Sequence, residues 1–204
     1  TLASDFTDGL ALQAIKMVFE YLPRAVANGK NDPEAREKMH NAATLAGMAF
    51  ANAFLGMNHS LAHKIGAEFH VPHGRTNAIL LPYVIRYNGT KPEKPGVWPK
   101  YNYYKADEKY AELARLIGLK FNTVEEGVVA YAKACADLGA DCGIKMSFKE
   151  QGLDAKAWDT AKEKIAYLAY EDQCSPANPR VPMVTDMIDI LRASYEGDTS
   201  YYTK

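Results

Sequence analysis

Leu10, Ala14, Met17, Val18, Tyr21 and Leu22 recur three or four positions apart, the spacing that gathers apolar side chains on one face of an α-helix. The same interval returns along the chain, whereas β-branched residues in strict alternation, the mark of a half-buried strand, are few. Helices that each carry one apolar stripe can bury it only against one another. The pattern therefore predicts an all-α domain.

Punctuation divides the pattern. Asp5 or Thr7 is available to cap the first helix, which is expected over roughly 6–27 with Gly29 as its stop. Asp32 as cap and Pro33 in the first helical position open a second helix. Its small residues, in "EAREKMHNAATLAGMAFANAFLG", allow close packing and predict burial along much of its length. After Gly56, "HSLAHKIGAEFH" fits three turns, "VPHG" turns the chain, and "RTNAILLPYVIRYN" resumes a buried helix interrupted at Pro82. "GTKPEKPGVWPKYNYY", with Trp98 among its prolines, reads as a long surface loop. Further helical patterns lie near 105–117, 123–138, 155–170 and 182–195. With no internal repeat and no clear linker, residues 1–204 read as one helical domain.

Charge and run lengths exclude several functions. Lysine and arginine total 24 against 25 acidic residues, for a formal charge of −1, and no basic run is present to neutralise a phosphate backbone; no nucleic-acid partner is expected. Apolar runs such as "AILLPYVI" fall far short of the roughly 20 residues of a membrane span, and the first nine residues lack a signal-peptide layout, so the reading is cytoplasmic with no membrane partner. Cys135, Cys142 and Cys174 form no CxxC pair and leave an odd count. They read as reduced, structural thiols.

Four of the five histidines crowd into "NHSLAHKIGAEFHVPHG": His59, His63, His70 and His73. Four residues on a helix return to nearly the same face with a rise of about 6 Å, so His59 and His63 can converge on one point. His73, between Pro72 and Gly74, sits where a turn can fold a third imidazole back toward them. Neutral imidazole is the commonest protein ligand for divalent transition metals, which favours a metal site over a merely polar helix face. A zincin helix would need glutamate where Ser60 stands, and Glu68 and His70 have the wrong spacing for a carboxylate-bridged diiron site. No GxGxxG or GxxxxGK[ST] loop occurs to cradle a nucleotide. His40, isolated in the second helix, and His70 read as structural.

"HSLAH", "GAEFHVPHG" and "NAILLP" resemble the signature of the iron-dependent (group III) alcohol dehydrogenases. From "ASDFTDGLALQAIK" to "DQCSPANPR", the chain is similar to the C-terminal part of the bifunctional aldehyde-alcohol dehydrogenases, which covers essentially all of it. The resemblance implies an all-helical domain and a metal, usually Fe2+ and sometimes Zn2+, held by one aspartate and three histidines. On this chain the matching ligands are His59 and His73. His63 matches a histidine placed beside the metal and the nicotinamide, which implies proton transfer and contact with NAD, and Phe50 matches a position near substrate and nicotinamide. Helical spacing alone pairs His59 with His63; the resemblance pairs His59 with His73.

The family's other two ligands, an Asp and a His four apart, correspond to positions upstream of Thr1, and neither Asp5 nor Asp8 is followed by histidine at that spacing. The expectation is accordingly a fragment whose nucleotide-binding domain lies upstream and which is inactive alone. The intact enzyme implied is an NAD-linked, metal-dependent dehydrogenase that reversibly reduces short-chain aldehydes, acetaldehyde to ethanol in fermentation, and that assembles as a homo-oligomer or filament. The competing reading is a non-catalytic helical interaction or assembly module with a structural metal site. "NPR", Asn178 to Arg180, is also shared with the family, and Arg180 is expected to pin the terminal helices through charge-assisted hydrogen bonds.

Overall fold

Ser4, not Asp5 or Thr7, caps the first helix: its hydroxyl accepts from Thr7 N (3.3 Å) while Thr7 Oγ1 accepts from Ser4 N (2.8 Å), a reciprocal box that leaves Asp5 free in the first turn. The structure is a computed structural model that describes residues 2–92 and 104–204. Its described residues form helices α1 (Asp5–Asn28), α2 (Pro33–Ala53), α3 (Met57–Phe69), α4 (His73–Gly89), α5 (Ala106–Leu116), α6 (Val124–Asp141), α7 (Ala155–Tyr170), α8 (Val184–Glu196) and α9 (Ser200–Thr203), with a 3-10 turn at Ser175–Ala177. The class is all-α, as the periodicity predicts. No helix among the described residues is long and apolar enough to cross a membrane. The expected loop around Trp98 lies largely outside the described residues.

Local chemistry sets the boundaries. Asp32 Oδ1 accepts from Ala35 N (3.0 Å) ahead of Pro33, Thr123 and Glu126 form a second capping box, and Asp154 Oδ1 accepts from Ala157 N (2.8 Å). Pro82 does not interrupt α4. Ile79, Leu80, Tyr83, Val84 and Ile85 around it are buried, and that packing outweighs the roughly 3 kcal/mol penalty of an internal proline.

α4 is the central element, packing against α3, α5, α6, α8 and α9. It approaches α6 so closely that a methyl group on Gly89 would fall 2.3 Å from Val128. The expected burial of α2 fails. Among the described residues only Ala35, Ala42 and Ala49 of α2 are buried, because α2 packs mainly on α1 as one arm of a hairpin whose other arm touches α5 and α6 lightly. Small residues permit close approach on one stripe, and one neighbour covers one stripe. Met48, Phe50 and Phe54 are left exposed.

α3 runs antiparallel to α7 and the segment that follows it, and several contacts join them. Phe69 stacks on Trp158 (5.4 Å between ring centroids), Glu68 pairs with Lys164 (3.0 Å), Lys64 meets Asp172, and the Ser60 and Ser175 hydroxyls lie 2.9 Å apart. At the far end the buried Asn178 accepts from Met57 N (3.2 Å) and exchanges hydrogen bonds with Asn88, tying the start of α3 to the end of α4. Gly56 is required there: a methyl group would sit 2.7 Å from Asn178 Oδ1. Arg180 pins the end of α4, not the terminal helices. Its guanidinium donates to the Tyr87 and Thr90 carbonyls (3.1 and 3.3 Å) and lies over the Tyr87 ring, a cation at the negative end of the helix.

Candidate functional site

His59 and His63 project from one face of α3, and the short Val71-Pro72 turn starts α4 at His73, so the third ring returns to the first two. Centroid distances are 5.3 Å for His59–His73, 5.5 Å for His63–His73 and 6.1 Å for His59–His63. His63 and His73 lie almost parallel, 16° apart, while His59 meets His63 edge-on. The turn depends on His70, which ends α3 in the left-handed conformation (φ 56) and is exposed. His40 is exposed on α2.

Burial, followed by repulsion from the neighbouring His73 and His63 rings, holds His59 below the ordinary imidazole range. A ring that resists protonation keeps its lone pair available, which is the state a metal requires. The described residues thus fit the imidazole side of a divalent-metal shell. His73 Nε2 lies 3.0 Å from Asn77 Nδ2, and Asn77 Oδ1 in turn accepts from Asn58 (2.7 Å), so the Nε2 lone pair is engaged by the Asn77 amide, which must give way for a metal to take that nitrogen. Phe50 is 48% exposed on α2 and packs in no core formed by the described residues.

Sequence reasoning missed Asp172. It follows α7, is 109 residues from His63 along the chain, and brings Oδ2 within 3.3 Å of His63 Nδ1 and 2.8 Å of Lys64 Nζ. Its other oxygen accepts from Cys174 N (3.0 Å). The side chain is 7% exposed. Burial by itself would raise this carboxyl, but the Lys64 ammonium, the Cys174 N–H and His63 together hold it well below the usual carboxylate range. The adjacent "DQC" gave no periodic or spacing signal; only the fold reveals the pairing. All three cysteines are free, and burial pushes the Cys174 thiol up to about 11, in keeping with an unreactive structural thiol.

A depressed carboxyl stabilises the fold fully above its unfolded value near 3.9, and the contribution is lost as pH falls below that value toward the folded one. Asp172→Asn is therefore expected to cost about 1–3 kcal/mol at neutral pH, with the gap to wild type starting to narrow only below about pH 4 and closing as the pH approaches the strongly depressed folded value. Denaturant unfolding at neutral pH and at a series of lower pH values measures this. A gap that stays constant down to about pH 1 would show that the charge contributes nothing.

A profile described as "Fe-containing alcohol dehydrogenase family, C-terminal" matches residues 1–195. The chain is 65% identical over 196 residues to the aldehyde-alcohol dehydrogenase of Streptococcus pneumoniae serotype 4, covering 96% of this chain and 22% of that protein. It is 43% identical over 202 residues to the bifunctional aldehyde-alcohol dehydrogenase of Escherichia coli, with the same coverage. Among solved structures, a 1,3-propanediol oxidoreductase superposes with a TM-score of 0.82 at 33% identity, over 95% of this chain and 46% of its own. The chain thus spans about a fifth of the length of these curated relatives.

Proposed function

Because the chain belongs to the Fe-containing alcohol dehydrogenase family, we propose that it forms the helical, metal-binding part of a longer NAD-linked enzyme that interconverts short-chain aldehydes and alcohols, acetaldehyde and ethanol among them. The convergence of His59, His63 and His73 is the observation that supports this most directly. His59 and His73 hold the metal, Fe2+ or Zn2+, through neutral imidazole nitrogens, a donor type both ions accept. A divalent ion there supplies Lewis acidity toward the substrate oxygen.

The chain's own residues do the rest of the work assigned to it. His63, ionisable and a third exposed at its side chain, takes the hydroxyl proton during oxidation and returns it during reduction. Phe50, solvent-facing on α2, forms an apolar wall toward the nicotinamide. The remaining ligands and the nucleotide site belong to the rest of the longer protein, so this chain alone folds but does not turn over substrate. The full enzyme is cytoplasmic and assembles as a homo-oligomer or filament.

One observation favours a non-catalytic structural clip: ligand atoms of His63, Asp172 and Cys174 lie within 4.8 Å of one another. The Lys64 ammonium on the same carboxylate and the protonated thiol count against it. Stripping the full-length enzyme of metal with a chelator is expected to abolish NAD-linked ethanol oxidation, and adding back Fe2+ or Zn2+ to restore it. Full activity after verified metal removal would overturn the proposal.

A further inference from the structure

We propose that Asp172 is a positioning residue for His63, holding its ring as the tautomer with the proton on Nδ1 and so presenting Nε2 as the bare, proton-accepting nitrogen. The inference rests on the reading of His63 as the proton carrier. Both oxygens of the Asp172 carboxylate are engaged, Oδ2 by Lys64 Nζ at 2.8 Å and His63 Nδ1 at 3.3 Å, Oδ1 by Cys174 N at 3.0 Å. An ionised carboxylate can only accept, so the hydrogen between it and the ring belongs to Nδ1. A neutral imidazole carries one N–H, and Nε2 is left without. Free histidine favours the opposite tautomer, so the fold reverses an intrinsic preference.

Geometry around the ring restricts it further. The face of His63 lies against His73 at 16° and 5.5 Å, its neighbour Lys64 is tied to the same Asp172 oxygen, and Asp172 itself is fixed by a backbone N–H. Rotating the ring to exchange its nitrogens would lose the carboxylate contact. Lys64 does more than balance charge: as an adjacent residue on α3 it fixes the carboxylate beside the helix that carries His63. A metal at His63 Nδ1 and Asp172 is the competing use of these atoms, and it requires Nδ1 without a proton.

Long-range 1H–15N correlation spectra of the labelled, metal-free 204-residue chain at mildly alkaline pH read the tautomer without turnover, so their outcome is separate from that of the activity assay. The expected result is Nδ1–H at His63 in the wild type and a change to Nε2–H in Asp172→Ala, with the His59 and His73 signals in place. In the full-length enzyme Asp172→Asn is expected to lower kcat by about 10–100-fold with KM and metal content little changed. A wild-type His63 with its proton on Nε2, or with Nδ1 unprotonated, overturns the proposal even if the variants fail to fold. So does an Asp172→Ala chain that keeps Nδ1–H.

Discussion

Alanine at His59 or at His73 is expected to strip the metal from the full-length enzyme and to abolish its activity, whereas His63→Ala keeps the metal and slows turnover by about 10²-fold. The three rings stand within 6.1 Å of one another, so proximity does not distinguish them. Their partners do. His63 has a buried carboxylate at Nδ1, an arrangement that holds a ring for proton transfer, while burial and its neighbours hold His59 in the unprotonated state a metal needs. Metal analysis of the three purified variants, alongside kcat and KM, is the measurement. Metal lost from the His63 variant but kept in the His73 variant would exchange the assignments.

Trp158→Ala is expected to destabilise the chain by about 3–5 kcal/mol, the range for removing a large buried aromatic, and to lower Tm by roughly 6–20 °C for a domain of this size. The indole is 1% exposed and stacks on three rings, Phe148 at 4.9 Å, Tyr195 at 5.2 Å and Phe69 at 5.4 Å. Three separate segments meet there: the turn before α7, the end of α8 and the end of α3. Alanine leaves a cavity that rigid helices cannot close. Trp158→Phe provides the control. Among the described residues the indole Nε1–H has no acceptor, so phenylalanine removes an unpaired buried donor while keeping a ring in the stack. Its cost is expected to be less than half that of alanine. Equal losses in thermal unfolding would mean that a ring kept in the stack recovers none of the stability lost with the indole.

Much of this architecture was legible because its causes are local. Asp32-Pro33 and the boundaries of α7 and α8 follow from caps and periodicity, and the three converging histidines from an i, i+4 pair plus a Pro-containing turn. What escaped depends on contacts between distant residues. The exposed face of α2 could not be inferred because small residues state how near a neighbour may come and not how many neighbours there are. Pro82 misled for the same reason, since its local penalty is offset by the burial of α4's own residues against other helices. Asp172 is the sharpest case: an aspartate in a polar stretch acquires meaning only when α7 docks on α3. Asn178 and Arg180 carried a visible motif, yet their partners Met57, Asn88 and the end of α4 are visible only in the fold.

The separation between His63 and Asp172 also has a temporal side. Synthesis proceeds from the N-terminus at about 5–20 residues per second, so a gap of 109 residues means that the imidazole helix emerges roughly 5–20 s before the carboxylate that meets it. During that interval the nascent histidines lie open to any ion or surface in the surroundings, with neither Asp172 nor the α7 buttress in place. A ribosome that stalls between the two leaves His63 without the carboxylate that holds its ring.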